Sequence, residues 1–123
     1  TVEQYAWSRG FSHGTQFTNP EANHTTTADL TLFMKGLHEG TLLSGYQRDY
    51  VMSALIRHPY RKGIPSGSDG EVHNKVGFLW DYSNDSAIVY HPRGTYVIAV
   101  MTKGLSFYAI ADITREIEKI MYP

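Results

Sequence analysis

Apolar positions follow two different periods along the chain, and the change of period falls near residue 70. Before it they recur every three or four residues, the spacing of a helix face; after it they alternate or run together, as strands do. Val2, Tyr5, Ala6 and Trp7 predict the last turn or two of a helix that stops near Gly10. Gly14, Asn19, Pro20 and Asn23, scattered among Ser and Thr, then predict a loop to residue 26. A structureless stretch of that length is uncommon in a compact domain, so it is either functional or packed on something, and Phe11 and Phe17 point to packing.

Thr26 is the expected N-cap of the next helix. Asp29, three residues on, completes what resembles a capping box, and Leu30, Phe33, Met34 and Leu37 form its apolar face up to Gly40. A second helix is predicted over 45–58, capped by Ser44 and stopped by Pro59, with Tyr50, Val51, Ala54 and Leu55 as its buried stripe. Joined by a short link, the two helices should pack as a pair. Residues 61–70, with three Gly, a Pro and an Asp-Gly, read as a linker.

Residues 71–80 predict the first strand. Val72, Asn74, Val76, Phe78 and Trp80 share one parity; His73, Lys75, Gly77 and Leu79 share the other. Asp81 to Asp85 reads as a turn, Ala87 to Tyr90 as a short strand and His91 to Thr95 as a hairpin loop. Tyr96 to Thr102 is a β-branched run expected to be buried on both faces. A last helix is predicted over 106–122, with Ile110, Ile113, Ile117, Ile120 and Met121 inward and Arg115, Glu116, Glu118 and Lys119 outward. The expected fold class is α/β of the α+β type. A helix pair precedes a three-stranded antiparallel meander with a C-terminal helix packed on it. It is read as one domain, with loop and helices in 1–60 and the sheet and last helix in 71–123.

Composition narrows the function. Hydrophobic residues make up 41% of the 123, with nine Tyr and five Phe, which excludes a disordered chain. The formal net charge is −1 with no long block of like charge, so no nucleic-acid surface is expected. No apolar run approaches a membrane span, and the first residues are no signal peptide. The absence of cysteine removes disulfides, thiolate nucleophiles and cysteine-held zinc. A start without Met, in mid-pattern, is expected of a processed or truncated piece.

Lys75-Val76-Gly77 is the first chemical candidate. A strand lysine can set an ammonium beside a pocket, glycine two residues on lets a substrate approach the backbone, and the Phe78 N–H can donate to a developing oxyanion. His73 shares the parity of Lys75 and could line the same pocket. A solvated surface lysine and a hydrogen-bonded sheet histidine are the ordinary alternatives. The six histidines lack metal-ligand spacing, so neither metal nor cofactor is expected. No S-x-x-K or G-x-S-x-G occurs. Ser66, Ser68, Ser83 and Ser106 sit in predicted turns without an adjacent base, and Ser83-Asn84-Asp85 merely permutes an S-D-N triplet.

Taken in order, these segments resemble the C-terminal portion of the class A β-lactamase-like serine hydrolases, among the penicillin-recognising enzymes. Asn23-His24-Thr25-Thr26-Thr27-Ala28-Asp29-Leu30 is similar to the family's threonine-rich entry to a helix after its omega loop. Gly40-Thr41-Leu42-Leu43-Ser44 resembles the following link, and Lys75-Val76-Gly77 the K-T/S-G element. Asn84 to Tyr90 and Tyr96 to Lys103 resemble the two strands after it, and the last helix matches too. The resemblance implies an acyl-enzyme mechanism on amide or ester bonds. Lys75 would take the lysine role, the Phe78 N–H the oxyanion role, and Val76, Gly77 and His73 would meet the substrate.

Three departures follow. The nucleophilic serine, its lysine and the S-D-N element would lie upstream of Thr1, so the implied partner is a missing N-terminal half, in the same parent chain or non-covalent. Val76 stands where the family carries a hydroxyl. The deacylating glutamate has no match, since Glu21 lies only five residues before Thr26. The chain is therefore expected to be inactive alone and extracytoplasmic with its family. A non-catalytic binding or structural domain is the alternative, and a homodimer burying the surface meant for the missing half is a third possibility.

Overall fold

The structure, a computed structural model, describes residues 1–123. The elements are α1 (Val2–Ser8), α2 (Thr27–Glu39), α3 (Gly45–Ile56), α4 (Ile64–Gly67), β1 (Glu71–Leu79), β2 (Tyr82–His91), β3 (Gly94–Lys103) and α5 (Phe107–Met121). The strands form one antiparallel sheet in the order β1-β2-β3. Parity sorts their side chains into two cores. Val72, Ala87, Val89 and Ile98 meet Ile64 of α4 and Ile110 of α5 on one face. Ile88 meets Met34, Leu37, Met52 and Leu55 of α2 and α3 on the other, with Val97 and Tyr90 beside them. The meander with flanking helices is as expected.

The hairpins are tighter than the turn signals suggest. Leu79 pairs with Tyr82, leaving Trp80-Asp81 as the turn, and His91 pairs with Gly94. Trp80 has φ of 55°, the left-handed region usually left to glycine, which costs about 1 kcal/mol. Polar Ser83, Asn84 and Asp85 read as a turn but form the start of β2. Asp85 is buried because Asn74 Nδ2 donates to it at 3.0 Å and the Ile64 N–H at 2.9 Å. In a three-stranded sheet the middle strand is the covered one. Asp85 to Val89 of β2 are all buried, whereas in β3, expected to be buried on both faces, only Ile98 is. The outer edge of β3 pairs with no strand in this chain.

Thr26 caps α2, accepting from the Asp29 N–H at 3.0 Å, and Gly40 ends it at φ of 76°. The Asp29 carboxylate does not return to the cap, as a capping box would require. It receives Thr15 Oγ1 at 2.6 Å and Ser12 Oγ at 2.7 Å. Burial opposes its charge, but these hydrogen bonds outweigh burial and lower its pKa. Glu3 of α1 likewise receives the Phe17 N–H at 2.9 Å, and a single antiparallel bridge joins Gln16 to His24. Residues 11–26 are thus held by carboxylates and hydroxyls rather than by Phe17, which is 46% exposed.

Two stripes and the linker depart from expectation. In α3 the buried residues are Met52 and Leu55, while Tyr50 and Ala54 are exposed. The linker contains the short helix α4, whose Gly67 sits so close to α5 that an added Cβ would lie 2.0 Å from the Ala111 carbonyl oxygen. In α5 the inward residues are Ile110, Ala111, Thr114 and Glu118. Ile113 and Ile120 are exposed. Glu118 was expected outside; polar partners, described below, draw it in.

Candidate functional site

β1 is an edge strand, so half of its backbone groups face away from β2. Which half is settled by three contacts. The Val72 carbonyl accepts from Arg61 Nη1 at 2.9 Å, the Val76 N–H donates to His58 Nε2 at 3.2 Å, and the Val76 carbonyl accepts from Lys75 Nζ. All belong to even-numbered residues. Along an antiparallel strand the N–H and C=O of one residue point to the same side, and alternate residues repeat it. The Phe78 N–H therefore faces the same open edge.

The side chains at this edge separate. Lys75 is exposed on the sheet face that carries α2 and α3, in register with Ser86, and has no carboxylate within ion-pair distance. Gly77 lies on the same face with nothing within 4 Å of where a Cβ would stand, and no positive φ requires glycine there. Leu79, Tyr82 and Met101 continue that face, 45%, 41% and 38% exposed. Val76 points the other way and is 3% exposed. Phe78, on the parity of Val76, is half-exposed, with its ring edge-on to Tyr60 at 5.5 Å and Phe107 at 6.3 Å.

His73 shares the parity of Lys75 but not its surroundings. It is buried beneath α3, with Nδ1 2.9 Å from the Met52 carbonyl oxygen, Nε2 3.3 Å from Glu71 Oε1 and its ring edge-on to Tyr90. α3 covers His73 and leaves Lys75 bare, so the structure brings Lys75, Gly77 and the Phe78 amide together but not His73.

Two contributors have no motif in the sequence. His58, just past α3, lies over the β1 edge with its ring 5.6 Å from that of Tyr60. Arg61 donates to Asn74 Oδ1 at 3.0 Å, and Asn74 passes the link to Asp85. Burial raises the Asp85 pKa against the hydrogen bonds from Asn74 and Ile64. This chain of contacts pins the 57–64 connection onto β1. Only the Pro59 stop hinted at it, and a stop signal says nothing of what the following residues touch.

A second polar cluster lies at the opposite end of the sheet. Asp69, His91 and Glu118 each bring a ligand-type atom within 4.8 Å of the others. Glu118 receives the Asp69 N–H at 3.0 Å and Ser68 Oγ at 2.5 Å, and the Tyr96 hydroxyl also donates to it. His91 Nδ1 accepts from the Arg93 N–H at 3.0 Å, so its proton is on Nε2, 3.4 Å from Glu118 Oε1. Four donors occupy the roughly four lone-pair sites of one carboxylate, so the donor set fits a structural hub better than a metal. Burial opposes the Glu118 charge, but the donors outweigh it and hold the pKa below the usual range. Burial and then the Glu118 contact push the Tyr96 hydroxyl up.

With this geometry in place, comparison with known proteins gives a consistent result. The sequence profile described as the Beta-lactamase enzyme family matches residues 2–122. No curated protein matches. Among solved structures, the chain is similar to a point mutant of PBP-A in its acyl-enzyme complex with penicillin G. The identity is 24% and the TM-score 0.88, covering 98% of this chain and 50% of that one. It is similar to a β-lactamase from Sphaerobacter thermophilus DSM 20745, with 25% identity, TM-score 0.77, and coverage of 99% and 52%. It is also similar to TLA-1 extended-spectrum β-lactamase, with 20% identity, TM-score 0.83, and coverage of 99% and 54%. The chain thus spans about half the length of the solved structures it matches.

Proposed function

This chain belongs to the Beta-lactamase enzyme family, and we propose that it supplies the substrate-binding and oxyanion wall of a serine hydrolase acting on amide or ester bonds through an acyl-enzyme. One observation carries the reading. The outer edge of β1 presents a lysine with no carboxylate partner, a glycine with open space above it and an outward amide within four residues. Lys75 holds an anionic group of the substrate. Gly77 admits the substrate to the backbone, since a strand glycine that packing does not require otherwise costs about 0.5–1 kcal/mol relative to alanine. The Phe78 N–H stabilises the charge that develops on the carbonyl oxygen.

The nucleophile comes from outside these residues, on the remainder of a longer parent chain or a non-covalent partner. That half would cover the sheet face that α2 and α3 leave bare around Leu79, Tyr82 and Met101. An extracytoplasmic location accompanies this reading through the family. The acylation of the PBP-A mutant by penicillin G supports the choice of probe. A fluorescent penicillin should label covalently a protein that contains both this chain and an S-x-x-K segment. Labelling of the 123-residue chain by itself would contradict the proposal.

A second reading is a non-catalytic binding domain, favoured by Val76, whose buried side chain brings no hydroxyl to the edge. Lys75→Ala in the full-length protein separates the two. Lost turnover with an unchanged melting temperature marks the hydrolase; no change in any activity marks the binding domain.

A further inference from the structure

His58 has no role in the reading above, yet it makes the one side-chain contact to a β1 edge amide beside Lys75. Its own N–H is tied to the Leu55 carbonyl at 3.2 Å, and its ring is tilted on Tyr60, which in turn meets Phe78. A backbone N–H can only donate. His58 Nε2 must therefore keep its lone pair toward Val76, and the ring proton belongs on Nδ1.

The charged and titratable groups around the ring do not supply a counter-charge. β1 offers Lys75, and also His73, which is engaged with Met52 and Glu71. The connection after α3 offers Tyr60, Arg61 and Lys62, the last lying over the Tyr108 ring of α5. Arg57 turns back to Ser53 of α3, and Asp85 of β2 is committed to Asn74 and Ile64. Burial first, then Lys75 and Arg61, hold the His58 pKa below the ordinary histidine value.

Building on the assignment of the β1 edge as the substrate wall, we propose that His58 is a positioning residue whose neutral ring anchors the Val76 amide and so aims the Phe78 N–H. A protonated ring has no lone pair to offer. It releases Val76 and sets a further cation beside Lys75 and Arg61, so an acidic limb in the rate of acylation belongs to His58.

The test uses the full-length protein. Nitrogen-15 NMR follows the Val76 amide and the His58 ring across pH while fluorescent penicillin reports the acylation rate. The Val76 amide should shift as His58 titrates, and the rate should fall as the ring gains its proton. His58→Gln, which can accept but does not titrate, should flatten the acidic limb and slow acylation about threefold through imperfect geometry. His58→Phe keeps a ring against Tyr60 but offers no acceptor, and should slow acylation ~10-fold where the parent ring is neutral, the equivalent of one net hydrogen bond, with the gap closing as the parent ring gains its proton. A Val76 amide that ignores the His58 titration overturns the proposal, as does a His58→Gln variant that retains the acidic limb. A full-length protein that is never acylated, while its Val76 amide still follows His58, removes the hydrolase reading and leaves the coupling intact.

Discussion

At the Glu71–His91–Gly94 end of the sheet, one carboxylate meets four donors, a histidine has both ring nitrogens engaged, and Gly67 of α4 lies against α5 with no room for a methyl group. Toward the Leu79–Tyr82 end a lysine has no carboxylate, a glycine has open space above it, and an amide faces off the edge. Both ends carry ionisable groups and glycine, and by composition they look alike. They differ in unused bonding capacity. A saturated polar cluster holds elements together, because every group removed from water has been repaid inside the protein. A cluster with capacity left over can meet a ligand. The His-Asp-Glu grouping is the more conspicuous of the two by residue type, and it is the less available.

Substitutions can break or sharpen this contrast. Gly67→Ala should have the largest effect, destabilising the fold by about 3 kcal/mol or more in urea unfolding, because the obstacle is the Ala111 backbone rather than a movable side chain. Glu118→Gln should cost about 3 kcal/mol by leaving a buried donor set mispaired. It should also change the pH dependence of stability. The folded-state pKa of Glu118 lies below its ordinary 4.5, so its contribution is complete above 4.5 and is lost as pH falls through the lower folded value. The variant should therefore lose less stability than the parent between neutral and acidic pH; equal acid sensitivity would remove Glu118 as the hub.

At the open end the effects should move from stability to chemistry. Lys75→Ala should slow acylation by a fluorescent penicillin about 100-fold, comparable to removing a transition-state donor, with stability changed by no more than ~0.5 kcal/mol. Gly77→Ala should be the mildest, neutral to slightly stabilising by thermal melting because the methyl meets nothing in this chain, while slowing acylation roughly 10-fold by obstructing close approach of a carbonyl to the edge. If Gly77→Ala unfolds the protein, the space above it is a packing surface and the contrast between the two ends fails.

Much of this was legible in the residues. The 3.6-residue spacing in α2, Thr26 and Gly40 at its ends, the parity of β1 and the three-strand meander all follow from local stereochemistry. The K-x-G stretch stood out because a lysine and a glycine share a strand face. Less legible was any feature in which a polar residue is repaid from far along the chain. Asp85 read as a turn because Asn74 and the Ile64 amide are invisible at its position, and Glu118 read as solvent-facing because Ser68, Asp69, Tyr96 and His91 lie 22 to 50 residues away in sequence. His73 illustrates the reverse. Parity grouped it with Lys75, but α3 packs over His73 and leaves Lys75 exposed.

The sequence by itself determined the order of the longer helices and of the three strands, the parity of β1, and that Lys75, Gly77 and the Phe78 amide fall within four residues on one strand. These are properties of neighbouring residues, set by backbone sterics and by the period of the side chains. Only the tertiary structure decided which polar groups are spent and which are free. It made β1 an edge, laid His58 over it, stopped α3 short of Lys75 and closed four donors around Glu118. The reason is physical: a hydrogen bond or a desolvation cost depends on what comes within a few ångströms, and those neighbours are chosen by the fold.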